Sequence, residues 1–363
     1  MAESPPPPSR RLPAEWACQS AVQLTWPHDE GDWAHNLQPA RRCFTQIATA
    51  LSRYQTVLIV ARDDGEWHAI SRALAAAGAH LPRCRFVLAP SDDSWARDHA
   101  PLTVTTPQGP ALIKFTFNGW GGRHPANKDN QLAQALHSQG VFGKCPLIES
   151  GLILEGGAIE TDGQGHFLLR ESCIVNENRN IGMNHSAMAQ ALQEWLGAER
   201  IHWLSTGNLA GDDTDGHIDT LARFGPQGAV LHQSCDDATD PHFEPLAAMA
   251  DALRGLLDPT GRERALIPLP LPRPIHDSKG RRMPAGYANF LVANQQVLVP
   301  TYQDPADETA LLKIGAAFPE HEVRGIDCRA LIRQGGSLHC VTMQYPDGVV
   351  PADAGLPAQE GGA

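Results

Sequence analysis

The sequence predicts an α/β fold of five similar units closing into a ring, and three observations lead there. Two short apolar strands joined by a Gly- or Pro-containing turn recur along the chain, each pair followed by a helix and a further strand. The period is roughly 40–55 residues, the range in which repeat architectures occur. The conspicuous polar residues sit at or near the leading strand of each unit, the positions that a closed ring brings to its centre.

The first unit pairs Pro101–Thr105 with Leu112–Phe117 across Pro107-Gln108-Gly109-Pro110, then reaches a helix near Asn130–Gln139 and strand Cys145–Ile148. The second pairs Ala158–Thr161 with Phe167–Arg170 around Asp162-Gly163-Gln164-Gly165, followed by helix Ser186–Leu196 and strand Ile201–Leu204. In the third, Ile218–Phe224 and Ala229–His232 flank Gly225-Pro226-Gln227-Gly228, ahead of helix Phe243–Leu257 and strand Ala265–Leu269. The fourth runs through Tyr287–Ala293, Gln296–Pro300, helix Asp307–Phe318 and strand Glu322–Ile326. Leu338–Met343 is a fifth leading strand at the end of the chain. Its partners must come from the beginning, where Ala21–Trp26, a helix near Pro39–Leu51 and Thr56–Val60 are available.

A length of 363 residues alone suggests two domains, but no single unit can bury its own core, so residues 11–350 are read as one domain. Residues 1–10, with Pro5-Pro6-Pro7-Pro8, and 351–363 are expected to be a disordered and a flexible tail. A net charge of −12 argues against nucleic-acid or anionic-membrane partners and favours a cationic substrate. Eight cysteines without paired zinc-type spacing point to free thiols in a reducing compartment. No signal region or membrane-length apolar run is present, which makes the cytoplasm the expected location. A homodimer is compatible with the sequence, which does not fix the oligomeric state.

Four polar clusters stand out. Ser91-Asp92-Asp93-Ser94-Trp95-Ala96-Arg97-Asp98 follows strand Phe86–Ala89 and reads either as a solvated turn with an Arg97–Asp salt bridge or as a cation site walled by Trp95. Glu155 ends an apolar run beside Gly156 and Gly157, where an ionised carboxylate needs partners. Gly211-Asp212-Asp213-Thr214-Asp215-Gly216-His217-Ile218-Asp219 lacks the first and last acids of a calcium loop. His217 and Asp219, two apart at the expected start of a strand, should share a face as an acid–base group and a charge holder. The same residue types could hold a divalent metal. Gly335-Gly336-Ser337-Leu338-His339-Cys340 places a thiol on the expected fifth leading strand. A strand cysteine is usually inert core, but ring closure would set Cys340 facing His217, Asp219, Glu155 and Asp98, an arrangement suited to covalent attack on an electrophilic carbon.

Trp95-Ala96-Arg97-Asp98, Phe117-Asn118-Gly119-Trp120-Gly121-Gly122, Leu154-Glu155-Gly156-Gly157, Asp213-Thr214-Asp215-Gly216-His217-Ile218-Asp219 and His339-Cys340, in this order, resemble the agmatine deiminase family, which also contains the bacterial peptidylarginine deiminases. The resemblance begins near Leu12-Pro13-Ala14-Glu15-Trp16 and runs to Gln344-Tyr345-Pro346. It implies the pentein fold, a five-bladed α/β propeller, with no cofactor and no metal. It assigns Cys340 as nucleophile, His217 as acid–base, Asp98 and Asp219 as guanidinium holders and Glu155 as the carboxylate beside the histidine. Asp213 would help bind substrate. Two departures, His99-Ala100-Pro101 and Tyr302-Gln303-Asp304, fall near the expected pocket rim.

The activity implied is hydrolysis of the guanidinium of agmatine to N-carbamoylputrescine and ammonia. An arginine-specific enzyme would present an arginine to the substrate carboxylate; Arg97 is the candidate in these motifs, and it is expected to pair with neighbouring acids instead. The alternatives are a peptidylarginine deiminase of the same family, a metal-dependent guanidino hydrolase and a non-catalytic polyamine-binding protein.

Overall fold

In a computed structural model describing residues 10–352 and 356–357, five small sheets surround a common centre. Four are three-stranded and share one topology: the first strand pairs antiparallel with the second, and the second pairs parallel with the third across a helix. Leu102–Thr106, Gly109–Thr116 and Leu147–Ile153 form the first, with helix Asp129–Ser138. Ile159–Thr161, His166–Arg170 and Arg200–Leu204 form the second, with helix His185–Leu196. That helix starts where the Asn184 side chain accepts from the Ala187 amide and stops at Gly197, which is left-handed at φ 72°.

The third sheet contains Ala222–Phe224, Val230–Gln233 and Leu266–Leu269; the fourth contains Leu291–Ala293, Gln296–Thr301 and Glu322–Asp327. The fifth closes the ring. Thr342–Pro346 lies antiparallel to Gln19–Thr25, which runs parallel to Thr56–Ala61, so the two ends of the chain share one sheet. Cys84–Leu88 adds a parallel strand there.

Apolar side chains fill the spaces between sheets and helices in three clusters. One joins the fourth and fifth sheets, one the fifth to the first and second, and one the second to the third. The helix Leu37–Leu51 contributes Phe44, Ile47 and Leu51, all fully buried, and so locks the chain's N-terminal part onto the ring.

Three leading strands start later than the apolar runs suggested. Ile218–Thr220 is a 3-10 turn, and its strand begins only at Ala222. Leu338–Val341 is a turn ahead of Thr342, and Tyr287–Phe290 precede a strand that starts at Leu291. The third helix ends at Leu253 rather than Leu257, because Arg254 is extended and Gly255 left-handed. Helix Asp64–Ala76, capped by Asp63, lies in a stretch to which the sequence assigned no element. Of the expected tails, 1–9, 353–355 and 358–363 fall outside the described residues. Leu356–Pro357 form a short strand against Cys84–Leu88.

Candidate active site

The turns that delay the leading strands deliver the polar residues. Each unit makes a tight turn just before its first strand, and the five turns meet at the centre: Ala96–His99, Gly156–Ala158, Ile218–Thr220, Tyr287–Phe290 and Leu338–Val341. Asp98, Glu155, His217, Asp219, Asn289 and Cys340 are thereby gathered, each at most 6% exposed. His217 and Asp219 therefore do not share a strand face as the alternation argument required; they flank a 3-10 turn that turns both inward. Cys340 likewise sits on a turn, not a strand.

Gly157 shows how tightly the groups converge. A methyl group there would stand 2.5 Å from His217 Nδ1, 3.0 Å from Asp98 Oδ1 and 3.2 Å from Asp219 Oδ2. Its amide donates to Asp98 Oδ1 (3.1 Å), and Trp120 Nε1 donates to Asp98 Oδ2 (2.9 Å). His217 Nδ1 is 3.6 Å from Asp98 Oδ1, and its Nε2 is 4.0 Å from Glu155 Oε2. Neither ring nitrogen has a hydrogen-bond partner among the described residues. Both Glu155 oxygens accept from Arg179 Nε at 2.9 Å, so the carboxylate beside the histidine is held by an arginine 24 residues on. Glu155, Cys173 and His217 place donor atoms within 4.8 Å of one another, a spacing that could suit a metal, but Arg179 already occupies Glu155.

Cys340 Sγ lies 3.8 Å from Asp219 Oδ2 and 3.4 Å from Asn289 Oδ1, which also accepts from the His339 amide at 2.9 Å. Burial, then the charges of Asp219 and Asp98, push the Cys340 thiol well above its ordinary pKa. Burial pulls His217 down, but Asp98, Cys173 and Glu155 outweigh it and hold the imidazole protonated well above the usual range. The two central aspartates differ. Asp98 is pushed up to about 6, mainly by burial and then by Asp219, against the pull of His217 and Trp120. Asp219 is equally buried, yet the hydrogen bond and charge of His339 bring it below the ordinary value.

A cavity of about 270 Å³ opens over this floor, lined at depth by Asp98, His217 and Cys340 and at the side by Trp95 and Trp120. Trp95 packs directly on Gly336, where any β-carbon would collide with its ring, and its Nε1 is held by Asp93 Oδ2 at 3.0 Å. Asp213 lines the mouth, half exposed, 3.6 Å from His124 Nε2. Burial and then Asp212 raise its pKa.

Arg97 is buried and absent from the cavity wall, and the expected pairing with its acidic neighbours does not occur. Its turn points the guanidinium away from them, to 4.0 Å from Glu15 and 3.6 Å from the Met343 sulfur. The rim holds other arginines: Arg282 is locked on Asp240 by two bonds, Arg281 pairs with Asp277, and Arg333 makes no ion pair among the described residues. The two departures expected near the rim do not line the cavity: His99 is buried against Phe117 (6.2 Å between ring centroids), and Gln303 adopts φ 57°, a left-handed conformation uncommon for a residue with a side chain.

Asn289, Trp120, Cys173 and Arg179 were not recognised as site residues from the sequence. Asn289 could have been found, since it occupies in the fourth unit the pre-strand position that Asp98, Asp219 and Cys340 occupy in theirs.

The five-unit ring and its buried thiol, imidazole and paired carboxylates define a pentein-type centre, and comparison with known proteins agrees. The chain belongs to the Porphyromonas-type peptidyl-arginine deiminase family, whose profile matches residues 11–346. It is 32% identical over 359 residues to the agmatine deiminase of Stutzerimonas stutzeri (strain A1501), covering 92% of this chain and 95% of that one. Among solved structures it is similar to a Porphyromonas gingivalis protein whose arginine-deiminase assignment is provisional, at 43% identity and a TM-score of 0.87, over 94% of this chain and 100% of that one. It is also similar to a cysteine-to-serine variant of a C. jejuni agmatine deiminase with substrate bound, at 32% identity and a TM-score of 0.86, over 94% of this chain and 97% of that one.

Proposed function

We propose that the protein is an agmatine deiminase, hydrolysing the guanidinium of agmatine to N-carbamoylputrescine and ammonia in the route to putrescine. The observation that carries this is the floor itself: two buried carboxylates, Asp98 and Asp219, flank Cys340, and the Asp219 Oδ1 atom is buried without a partner. A buried acceptor left open costs about 1–3 kcal/mol, and a guanidinium N–H satisfies it.

The guanidinium lies between Asp98 and Asp219, which accept from its nitrogens, and its positive charge offsets the two carboxylate charges that keep the Cys340 thiol protonated. Cys340 gives its proton to solvent water in the cavity and the sulfur attacks the central carbon, the C–N π pair moving onto nitrogen. His217, charged at neutral pH, gives its proton to the departing nitrogen, and ammonia leaves. Water then attacks the S-alkyl thiouronium with His217 as base, the C–S bond breaks, and the ureido product and thiol are released. Glu155, pinned by Arg179, supplies the second negative charge that favours the imidazolium. Trp95 walls the alkyl chain, and Asp213 at the mouth accepts from the distal ammonium. The substrate is small and cationic, no cofactor is required, and neither nucleic acid nor membrane is a partner. No helix among the described residues is long and apolar enough to cross a membrane.

The test is kcat/KM for agmatine, free arginine and a blocked arginine peptide. Agmatine should be preferred, and Asp213→Asn should narrow the preference. A preference for arginine or the peptide would favour the second reading, a carboxylate- or peptide-recognising deiminase with Arg333 at the rim.

A further inference from the structure

Asp219 is held by a chain of buried groups that reaches the beginning of the sequence. His339 Nδ1 lies 2.7 Å from Asp219 Oδ2, and His339 Nε2 lies 2.7 Å from Glu15 Oε2. Glu15 is fixed in turn: Oε1 accepts from the Val292 amide at 2.6 Å and Oε2 from Arg223 Nη2 at 2.7 Å. Arg223 is anchored on Glu160 Oε2 (2.8 Å) and the Phe290 carbonyl (2.5 Å), with its guanidinium over the Phe290 ring. His339, Glu15, Arg223 and Asp219 are each at most 7% exposed.

The geometry constrains the protons. A neutral imidazole has one donor and one acceptor nitrogen. With both nitrogens 2.7 Å from carboxylate oxygens, a neutral ring would set a lone pair against an anionic oxygen. Burial and the guanidiniums of Arg223 and Arg97 press the His339 pKa down, while Glu15 and Asp219 oppose them. The clash is relieved when the ring carries a proton on each nitrogen, and His339 then donates towards both Glu15 and Asp219, whose own pKa values its charge holds down.

A carboxylate turns readily about its last torsion. Clamping Oδ2 through His339 leaves Oδ1, buried and unpartnered, as the oxygen available to a ligand. We propose that His339, braced by Glu15 of the N-terminal segment, is a positioning residue that fixes the Asp219 carboxylate for the substrate guanidinium. This rests on the deiminase reading above, and it makes the segment around Glu15 part of the active site without touching substrate.

The readouts are KM for agmatine and the protection that methylguanidine gives Cys340 against iodoacetamide. Small misplacements of a positioning group can cost up to about 100-fold, and His339→Ala should raise both KM and the protecting concentration at least about tenfold. His339→Asn, whose amide nitrogen can stand where Nδ1 stands, should recover most of the loss, and Glu15→Gln should fall between. A merely structural role would lower Tm and the folded fraction while leaving KM and protection of the folded protein unchanged. That result in His339→Ala, or an Asn variant no better than Ala, overturns the proposal. Should His339→Ala not fold, unchanged protection in Glu15→Gln overturns it. If the original chain neither hydrolyses agmatine nor is protected by methylguanidine, the deiminase reading falls first and the clamp with it.

Discussion

At the floor of the cavity Asp98, His217, Asp219 and Cys340 are at most 6% exposed and contact one another through turns of different units, whereas at the mouth Asp213 and Arg281 keep 49% and 75% of their side chains in solvent. Charges at the floor interact at low dielectric, shift one another's protonation and lack competing water. Those at the mouth are screened, and an exposed pair contributes about 0–1 kcal/mol. The floor can thus carry chemistry and the mouth can only bias which substrate reaches it.

Substitutions should grade accordingly. Cys340→Ala should abolish turnover while keeping the fold and substrate binding, checked by ammonia release, circular dichroism and calorimetry, because among the described residues Cys340 is the thiol that lines the cavity. His217→Asn should lower kcat by the roughly 10²–10⁴-fold typical of a general acid–base while leaving agmatine bound. Near-normal turnover there would mean that another residue moves the protons. Asp98→Ala or Asp219→Ala each removes a charge-assisted partner of a buried cation, a loss of about 2–5 kcal/mol, so calorimetry should show binding collapse.

The acid limb separates the two holders. Asp98 must be ionised to hold the guanidinium and its pKa is raised to about 6, so kcat/KM should fall as pH drops through that value. Asp219, shifted downward, stays ionised there and should not contribute. A pH profile of kcat/KM that stays flat on acidification from neutrality to well below that value would break the assignment. The smallest effect is at the mouth: Asp213→Asn should change the agmatine-to-arginine ratio by no more than the roughly 0.2–1 kcal/mol of an exposed pair.

The same division governs how much was legible in the sequence. Cys340, His217, Asp98, Asp219 and Glu155 stand in compact motifs next to leading strands, and the recurrence of strands and helices was sufficient to place them at one centre. Their backbone was misread because apolar runs such as Ile218–Phe224 do not reveal that the first residues turn inward. The partners were invisible for a different reason. Arg179 reaches Glu155 from an irregular turn within the same unit, and Glu15 reaches His339 only after the ring closes, across 324 positions. The mouth was least legible, because Asp277, Arg281 and Arg333 lie on connecting segments that carry no periodic signal.

Covalent deimination by Cys340 is tested most directly by one incubation with agmatine: ammonia and urea are measured with and without chelator, for the original chain and Cys340→Ala, alongside the mass of the Cys340 peptide trapped during turnover. The expected result is ammonia without urea, indifference to chelator, an amidino increment on Cys340 and no turnover by Cys340→Ala. Urea as product, loss of activity to chelator, or turnover surviving Cys340→Ala would contradict it.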